Sequence, residues 1–170
     1  EHYVKGTYRN RCHIVSVSGV QRLTIPLRKG KNQQQPIREV RIAYDEPWQT
    51  QHWRSIGSAY GNSPFFEHYM DALRPFYEAK KYDLLWDWNY DLLLLTMSIL
   101  KIKTEVRFTE KYAVEPEGMM DFRDKFKPEK SSNNVDYQLF RYPQVFEDRL
   151  GFLPDLSVLD LIFCAGRIDI

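Results

Sequence analysis

The sequence predicts a mixed α/β domain, in which an N-terminal β-hairpin and a third strand form a sheet packed with about five helices. Alternating apolar residues flank a glycine turn near the N-terminus, and apolar residues recur at helical spacing from residue 48 onward. A length of 170 residues fits one domain over 1–170. The order of elements shows no clean βαβ repeat and therefore does not indicate a doubly wound sheet.

The predicted strands lie mostly before residue 45. Residues 11–17 and 20–27 alternate apolar and polar side chains around Ser18-Gly19, which is typical of a β-hairpin. Residues 38–44 alternate in the same way and predict the third strand. A further short strand is expected over 104–108.

The predicted helices are marked by helical spacing and by their end signals. Asp45-Glu46-Pro47 is a helix start with Asp45 as N-cap, and Gly61 is a stop. The last helix is expected to be capped by Asp155 and to end at Gly166. Polar residues 113–136 predict an irregular loop. The helices are predicted over 48–60, 62–69 continuing through 73–77, 82–100, 142–150 and 156–165.

Charge is unevenly distributed along the chain. The net charge is only +1, which does not indicate a nucleic-acid partner. Residues 1–44 hold nine Lys/Arg and two Asp/Glu, a net +7, whereas the remainder carries −6. The basic N-terminal part favours an anion site near the first strands. The alternative is that the two blocks pair with each other or with solvent.

Several classes of protein are disfavoured by missing patterns. The longest apolar run, 92–100, is far shorter than the roughly 20 residues of a membrane span. Cys12 and Cys164 are isolated and form no disulfide framework, so a cytoplasmic location is expected. GxGxxG, Walker, HExxH, GxSxG and CxxC motifs are absent from the sequence, and no cofactor or metal is expected.

Two basic segments are candidates for binding an anionic substrate. Arginine side chains bind carboxylates and phosphates with two hydrogen bonds, and backbone N–H groups beside lysines can cradle a phosphate. The alternatives are a solvated strand edge for the first segment and an ordinary surface loop for the second. The candidate residues are Tyr8, Arg9, Asn10 and Arg11 in the first segment, and Lys29 and Lys31 in the second.

The helix over 48–60 is unusually aromatic. His52 shares a face with Trp48 and Tyr60, and could act as a general base or bind a substrate hydroxyl. Trp53 and Tyr60 could form a stacking wall for a sugar or a base. The alternative is an aromatic core helix that contains one hydrogen-bonded histidine.

Two further polar groups begin or interrupt helices. Asn62 and Ser63 open a helix, where exposed N–H groups attract anions, although plain capping explains them equally. Asp87 and Asp91 lie one turn apart, and Asp87 is a second candidate catalytic residue. Two carboxylates at this spacing need a positive partner, so the alternative is a polar stripe on a buried helix.

Three motifs together resemble the WbqC-like family. They are Tyr8-Arg-Asn-Arg-Cys-His-Ile with the Gly19 turn, Trp48-x4-Trp53-x-Ser-Ile-x-Ser-Ala-Tyr-Gly-Asn-Ser-Pro-Phe-Phe-Glu-x-Tyr69, and Phe152-Leu-Pro-Asp-Leu-Ser-Val-Leu-Asp-Leu-Ile-Phe163. The resemblance covers most of the chain. It implies a single WbqC-like domain of a bacterial protein found with surface-polysaccharide (O-antigen) assembly, for which glycine transfer has been proposed.

The sequence also departs from the family pattern. Members usually begin with a Gln-Pro-x-Tyr-Leu-Pro-type strand, which is absent here, and the chain starts at Glu1 rather than Met. We therefore expect that an N-terminal strand is missing. A later Tyr-Leu-Ser-Gly-type segment is replaced by the polar 113–136 stretch, so the chain is expected to diverge after residue 112.

Two functions follow as hypotheses. The first is a transferase that acts on a small-molecule sugar or an activated acyl donor, with Arg9 and Arg11 binding the anion and His52 as base. Asn62 and Ser63 would orient the substrate. The second is a non-catalytic module that binds a glycan or a partner enzyme. The sequence leaves the oligomeric state open.

Overall fold

The computed structural model describes residues 1–28, 35–78, 82–114, 118–123, 125–128 and 140–167. Within these residues the protein is a mixed α/β structure with one two-stranded antiparallel sheet and six α-helices. Two short 3-10 helices, Tyr8–Asn10 and Ile37–Glu39, precede the first α-helix. The mixed class and the N-terminal hairpin are therefore confirmed.

The hairpin pairs β1 (Arg11–Ser16) with β2 (Gly19–Thr24). The register runs from Arg11 opposite Thr24 to Ser16 opposite Gly19. Gly19 has a φ of 113°, which a residue with a side chain rarely adopts, so glycine is required at this turn. Ile14 and Val15 point to opposite faces of β1 and both are buried, so the hairpin is covered on both faces at this point.

The predicted third strand over 38–44 is wrong as a strand. Its first part is the 3-10 helix, and its second part makes only the isolated bridges Leu27–Ile42 and Arg41–Leu84. Pro26 accepts a hydrogen bond from Ala43 N–H (2.9 Å) but has no N–H to return. A regular ladder therefore does not extend from the hairpin to this segment.

Helix α1 (Trp48–Tyr60) begins after Pro47, and no side-chain hydrogen bond caps it, so the predicted Asp45 cap is not observed. The helix ends at Gly61, as predicted. A Cβ there would lie 2.6 Å from the Gly57 carbonyl oxygen, which explains why a glycine suits this position. Helices α2 (Phe66–Leu73) and α3 (Pro75–Glu78) follow.

The later helices are α4 (Leu85–Ile99), α5 (Glu147–Leu150) and α6 (Val158–Ala165). Only the last turn of the helix predicted over 142–150 is helical, and 104–108 is not a strand. Ser157, not Asp155, caps α6, because its Oγ accepts a hydrogen bond from Leu159 N–H (3.3 Å). The described residues within 113–136 contain no helix or strand.

The core is built mainly from the hairpin, α1, α4 and α6, with further side chains from the segment around Ile42 and from α2 and α3. Buried aromatic and aliphatic side chains form one cluster, and burying each stabilises the fold by about 2–3 kcal/mol. None of the described helices is both long and apolar enough to span a membrane. The largest side chains of the cluster that are completely buried are Tyr60, Phe163, Ile14, Ile42, Ile56, Leu73, Leu85 and Ile162.

Candidate functional site

A cavity of about 380 Å³ lies between the start of β1, α1, α4 and the start of α6. We refer to it as the Arg11 cavity. One polar edge is formed by the residues around the first 3-10 helix, and most of the remaining wall is aliphatic or aromatic. The lining residues are Tyr8, Arg9, Asn10, Arg11, Cys12, Leu23, Ile25, His52, Tyr77, Trp88, Asn89, Leu92, Leu93, Thr96, Ser157, Val158 and Leu159.

The polar edge is held rigidly by amide side chains. Asn10 donates to the Ile25 carbonyl (2.9 Å) and accepts from the Tyr3 hydroxyl (3.0 Å). Asn89 of α4 donates to the Arg9 carbonyl (2.9 Å), which joins the 3-10 helix to the opposite wall. Because both ends of its amide are engaged, Asn10 supports the cavity edge and has little capacity left for a substrate.

The two arginines of this edge differ in their partners. Arg9 is paired with Glu1 (2.9 Å) and also donates to the Thr7 hydroxyl (3.1 Å). Arg11 contributes a buried Nε that has no hydrogen-bond partner within the described residues. Arg11 also lines the cavity, and a guanidinium there can pair with a carboxylate or phosphate.

His52 is the member of the aromatic helix α1 that reaches the cavity. It is 9% exposed and packs edge-on against Trp48, with ring centroids 5.1 Å apart. Burial lowers its pKa to about 4, although a hydrogen bond with the Thr24 backbone opposes the shift. His52 is therefore neutral near pH 7, and its imidazole can donate or accept a hydrogen bond but accepts a proton weakly.

The wall opposite the 3-10 helix is one face of α4. Asn89, Leu92, Leu93 and Thr96 follow the i, i+3, i+4, i+7 spacing of a single helix face. Tyr77 and Trp88 complete this side and contact each other edge-on, with ring centroids 6.2 Å apart.

A smaller cavity of about 230 Å³ adjoins the first one. Both cavities are lined by Tyr8, Cys12 and Ser157, and the smaller one also contacts His13 and Asp155. Burial raises the pKa of the Cys12 thiol to about 11, so this thiol is protonated and weakly nucleophilic at neutral pH. Burial and the nearby charges of arginines lower the pKa of His13.

The structure brings together five of the predicted site residues, Tyr8, Arg9, Asn10, Arg11 and His52, on one cavity. Trp53 does not line it. Instead, Trp53 stacks on Tyr77 (centroids 5.5 Å apart) behind the cavity wall, so its ring face is already covered by protein.

The residues predicted at the end of α1 also lie elsewhere. Tyr60 is fully buried, and its hydroxyl accepts from Val15 N–H (3.3 Å). Ser63 is buried and donates to the Tyr60 carbonyl (2.6 Å), whereas Asn62 is exposed. These contacts match the local turn and capping alternative.

The acidic candidates do not line the Arg11 cavity. Asp87 is exposed and does not line it, and Asp91 accepts a hydrogen bond from the Tyr82 hydroxyl (2.6 Å). Lys29 and Lys31 lie outside the described residues. Among the described residues, His, Cys, Asp and Glu form no group of three that could hold a metal ion.

Sequence reasoning missed most of the apolar wall. Asn89, Leu92, Leu93 and Thr96 were detectable as one face of α4, although nothing local distinguishes a cavity face from a core face. No pattern in the sequence indicates that residues 157–159 line the cavity, because their position depends on how α6 packs against β1. One contact that sets this packing joins Ser157 N–H to the His13 carbonyl (2.7 Å).

A second polar cluster lies in the core on the side of α6 that faces α1. In this Asp160 cluster, Gln144 donates to the Asp160 carboxylate (3.0 Å) and exchanges two hydrogen bonds with the Leu153 backbone (2.9 and 2.8 Å). Asp160 has no exposed surface, and one of its oxygens has no partner. Burial raises the pKa of Asp160, and the polar groups of Tyr142, Tyr60 and Gln144 oppose that shift.

The described residues form a mixed α/β protein with a partly enclosed cavity. The chain belongs to the WbqC-like protein family, which it matches over residues 1–127. The matched part contains every wall of the Arg11 cavity except 157–159.

One relative extends the similarity beyond the family match. The chain is 29% identical over 189 residues to the uncharacterised protein Rv1507c of Mycobacterium tuberculosis (strain ATCC 25618 / H37Rv). The alignment covers 96% of this chain and 80% of that protein. No solved structure gives a significant match to the chain.

Proposed function

We propose that this protein is a transferase of bacterial surface-polysaccharide (O-antigen) biosynthesis that moves an activated acyl group, such as glycyl, onto a sugar in the cytoplasm. The observation that carries the proposal is that Arg11 and His52 line one cavity. Such a site can bind an anionic leaving group and present a hydrogen-bonding imidazole to the reacting atoms.

The proposed roles follow from the contacts of each residue. Arg11 binds the anionic part of the donor, and Tyr8 contacts the substrate beside it. Arg9 and Asn10 hold the cavity edge through Glu1, Thr7 and Ile25. The positions of Trp53, Tyr60, Asn62, Ser63 and Asp87 give them no direct role in this scheme.

The transfer conserves atoms and charge. A hydroxyl or amino group of the sugar attacks the acyl carbonyl carbon, and an ester or amide bond forms. The bond between the carbonyl carbon and the leaving group breaks, and the leaving group departs with the electron pair. Arg11 stabilises that negative charge. The proton of the attacking group passes to solvent or, when the bound donor's charge raises its basicity, to His52.

The second candidate function is a non-catalytic module that binds a glycan or a partner enzyme of the same pathway. The pKa of about 4 at His52 favours it, because the cavity then lacks a base matched to neutral pH. In that case Arg11 would still bind an anion, but no acyl group would be transferred.

A paired binding and turnover experiment separates the two functions. The protein is incubated with nucleotide-sugars and aminoacyl donors, and mass spectrometry follows the acylated sugar while calorimetry measures binding. We expect product with the unmodified protein and at least a tenfold loss in Arg11→Gln, since a charge-assisted hydrogen bond is worth about 1.5–3 kcal/mol.

Arg22→Gln is the matched control, because Arg22 is exposed on the same hairpin and does not line the cavity. If ligands bind but no donor and acceptor pair gives product, the protein acts as the non-catalytic binding module. Equal activity in Arg11→Gln and Arg22→Gln would contradict the assignment of the site.

A further inference from the structure

Three polar side chains in the walls of the Arg11 cavity are already engaged within the protein. The Asn89 amide donates to the Arg9 carbonyl and the Thr96 hydroxyl donates to the Leu93 carbonyl (2.9 Å), while both ends of the Asn10 amide are engaged. A sugar ring buried here would leave several hydroxyls without partners, which costs about 1–3 kcal/mol for each group. The interior is therefore poorly suited to a sugar.

The same interior is well suited to an apolar chain. Aliphatic side chains come from three directions: Leu23 and Ile25 from the hairpin side, Leu92 and Leu93 from α4, and Val158 from α6. A glycyl group has no side chain to place against them. A cavity of about 380 Å³ with such walls gains binding energy only from a longer or bulkier apolar group.

The charged edge sets the orientation of such a ligand. Arg11 lines the same cavity as the aliphatic walls, so an anionic head and an apolar chain can be bound at once. Placing the chain at Arg11 and the head among the leucines would instead leave both the guanidinium and the anion without partners.

We propose that the Arg11 cavity binds an aliphatic acyl chain larger than glycyl, whose anionic head pairs with Arg11: the phosphate leaving group of an activated donor, or the carboxylate of the free acid, which binds without being transferred. This proposal rests on the transferase or binding site described above and specifies its ligand class. The acyl chain lies against Leu92, Leu93 and Val158, and the acceptor sugar approaches from the polar edge.

A chain-length series tests the apolar part. Calorimetric titrations use acetate, butyrate, hexanoate and octanoate. Each pair of added methylenes should tighten binding roughly fifteenfold until the cavity is full, from about 0.8 kcal/mol per methylene. An affinity that does not change with chain length would overturn the proposal.

Two neighbouring leucines provide a matched pair of variants. Leu93 lines the cavity and Leu94 does not, although their exposures are similar, at 44% and 41%. Leu93→Trp should fill the cavity and weaken octanoate binding by tenfold or more, whereas Leu94→Trp should bind like the unmodified protein. Equal affinities in the two variants, or equal losses, would place the ligand outside the cavity.

Two further arms make the result decisive. If Leu93→Trp does not fold by circular dichroism, Val158→Trp fills the cavity from α6 instead. Octyl phosphate and octanol test the head group. Arg11→Gln should weaken the binding of octanoate or octyl phosphate and leave the binding of octanol unchanged. The anion that binds the unmodified protein more tightly identifies the head group. An equal loss of octanol affinity in Arg11→Gln would show that Arg11 does not pair with the anionic head.

The outcomes also distinguish this proposal from the proposed function. The acyl-chain proposal would be wrong if Leu93→Trp transferred glycyl groups at the normal rate and carboxylate affinity did not depend on chain length. The proposed transferase function would still stand in that case. Strong chain-length dependence without any turnover would support the acyl ligand and leave the binding module.

Discussion

The Arg11 cavity and the Asp160 cluster each contain a charged side chain with one buried atom that has no partner within the described residues, but they differ in their surroundings. Arg11 borders open space of about 380 Å³, whereas Asp160 has no exposed surface and is enclosed by the chain. Gln144 and the Leu153 backbone close the second cluster with direct hydrogen bonds. We infer that the Asp160 cluster stabilises the fold, while Arg11 is held for a ligand.

The largest effect is expected in the Asp160 cluster. Gln144→Ala would leave the Leu153 N–H and carbonyl and the Asp160 carboxylate without their partner, and should lower the free energy of unfolding by about 4 kcal/mol. Denaturant unfolding measures the change. Gln21→Ala removes a single partly buried bond to Ser55 and should cost no more than about 1 kcal/mol. Comparable losses of unfolding free energy in the two variants would contradict the inference that the Asp160 cluster stabilises the fold.

The next effect is a pH dependence at the cavity. The pKa of His52 is about 4 in the folded protein, below its ordinary value of 6.5, so the unfolded chain binds the proton first as pH falls. Stability should therefore fall by about 3 kcal/mol between pH 6.5 and 4 because of this residue. His52→Gln should remove that part of the slope in denaturant titrations at several pH values.

A pH slope of unfolding free energy that is unchanged in His52→Gln would contradict the assignment. Asp160 acts in the opposite sense, because its raised pKa makes the folded state bind the proton more tightly. Its contribution is fully present below pH 3.8 and is lost as pH rises through its folded pKa, so Asp160→Asn should remove that loss.

A smaller effect is expected where Tyr60 joins α1 to the hairpin. Tyr60→Phe removes the hydroxyl that accepts from Val15 N–H and should lower the free energy of unfolding by about 1–2 kcal/mol. Thermal unfolding with calorimetry measures it. The control is Tyr112→Phe, at a ring that is 58% exposed, which should leave stability unchanged. If Tyr60→Phe were as stable as the unmodified protein, Val15 N–H would need no partner there.

The sequence was sufficient for local features whose pattern decides their structure. The hairpin follows from alternation around Gly19, and the ends of α1 and α6 follow from Gly61 and Gly166, where Gly166 has a φ of 67°. The segment over 38–44 has the alternation of a strand, but its pairing depended on Pro26 and on Leu84, far along the chain. Periodicity alone could not supply those tertiary partners.

The site was only partly predictable for the same reason. Basic and aromatic residues identified Arg11 and His52 as candidates, but Trp53 and Tyr60 share that composition and serve packing instead. A sequence shows which side chains can bind a ligand. It does not show which of them adjoin empty space, since that depends on how α4 and α6 pack against the hairpin.

The stability of Arg11→Gln tests the central claim most directly, because no ligand is needed. A side chain held for a ligand contributes little to folding, and its removal is often neutral or stabilising. We predict that the free energy of unfolding is unchanged or raised by up to about 1 kcal/mol, beside the loss of about 4 kcal/mol in Gln144→Ala. A loss of about 2 kcal/mol or more in Arg11→Gln would show that Arg11 supports the fold as the Asp160 cluster does.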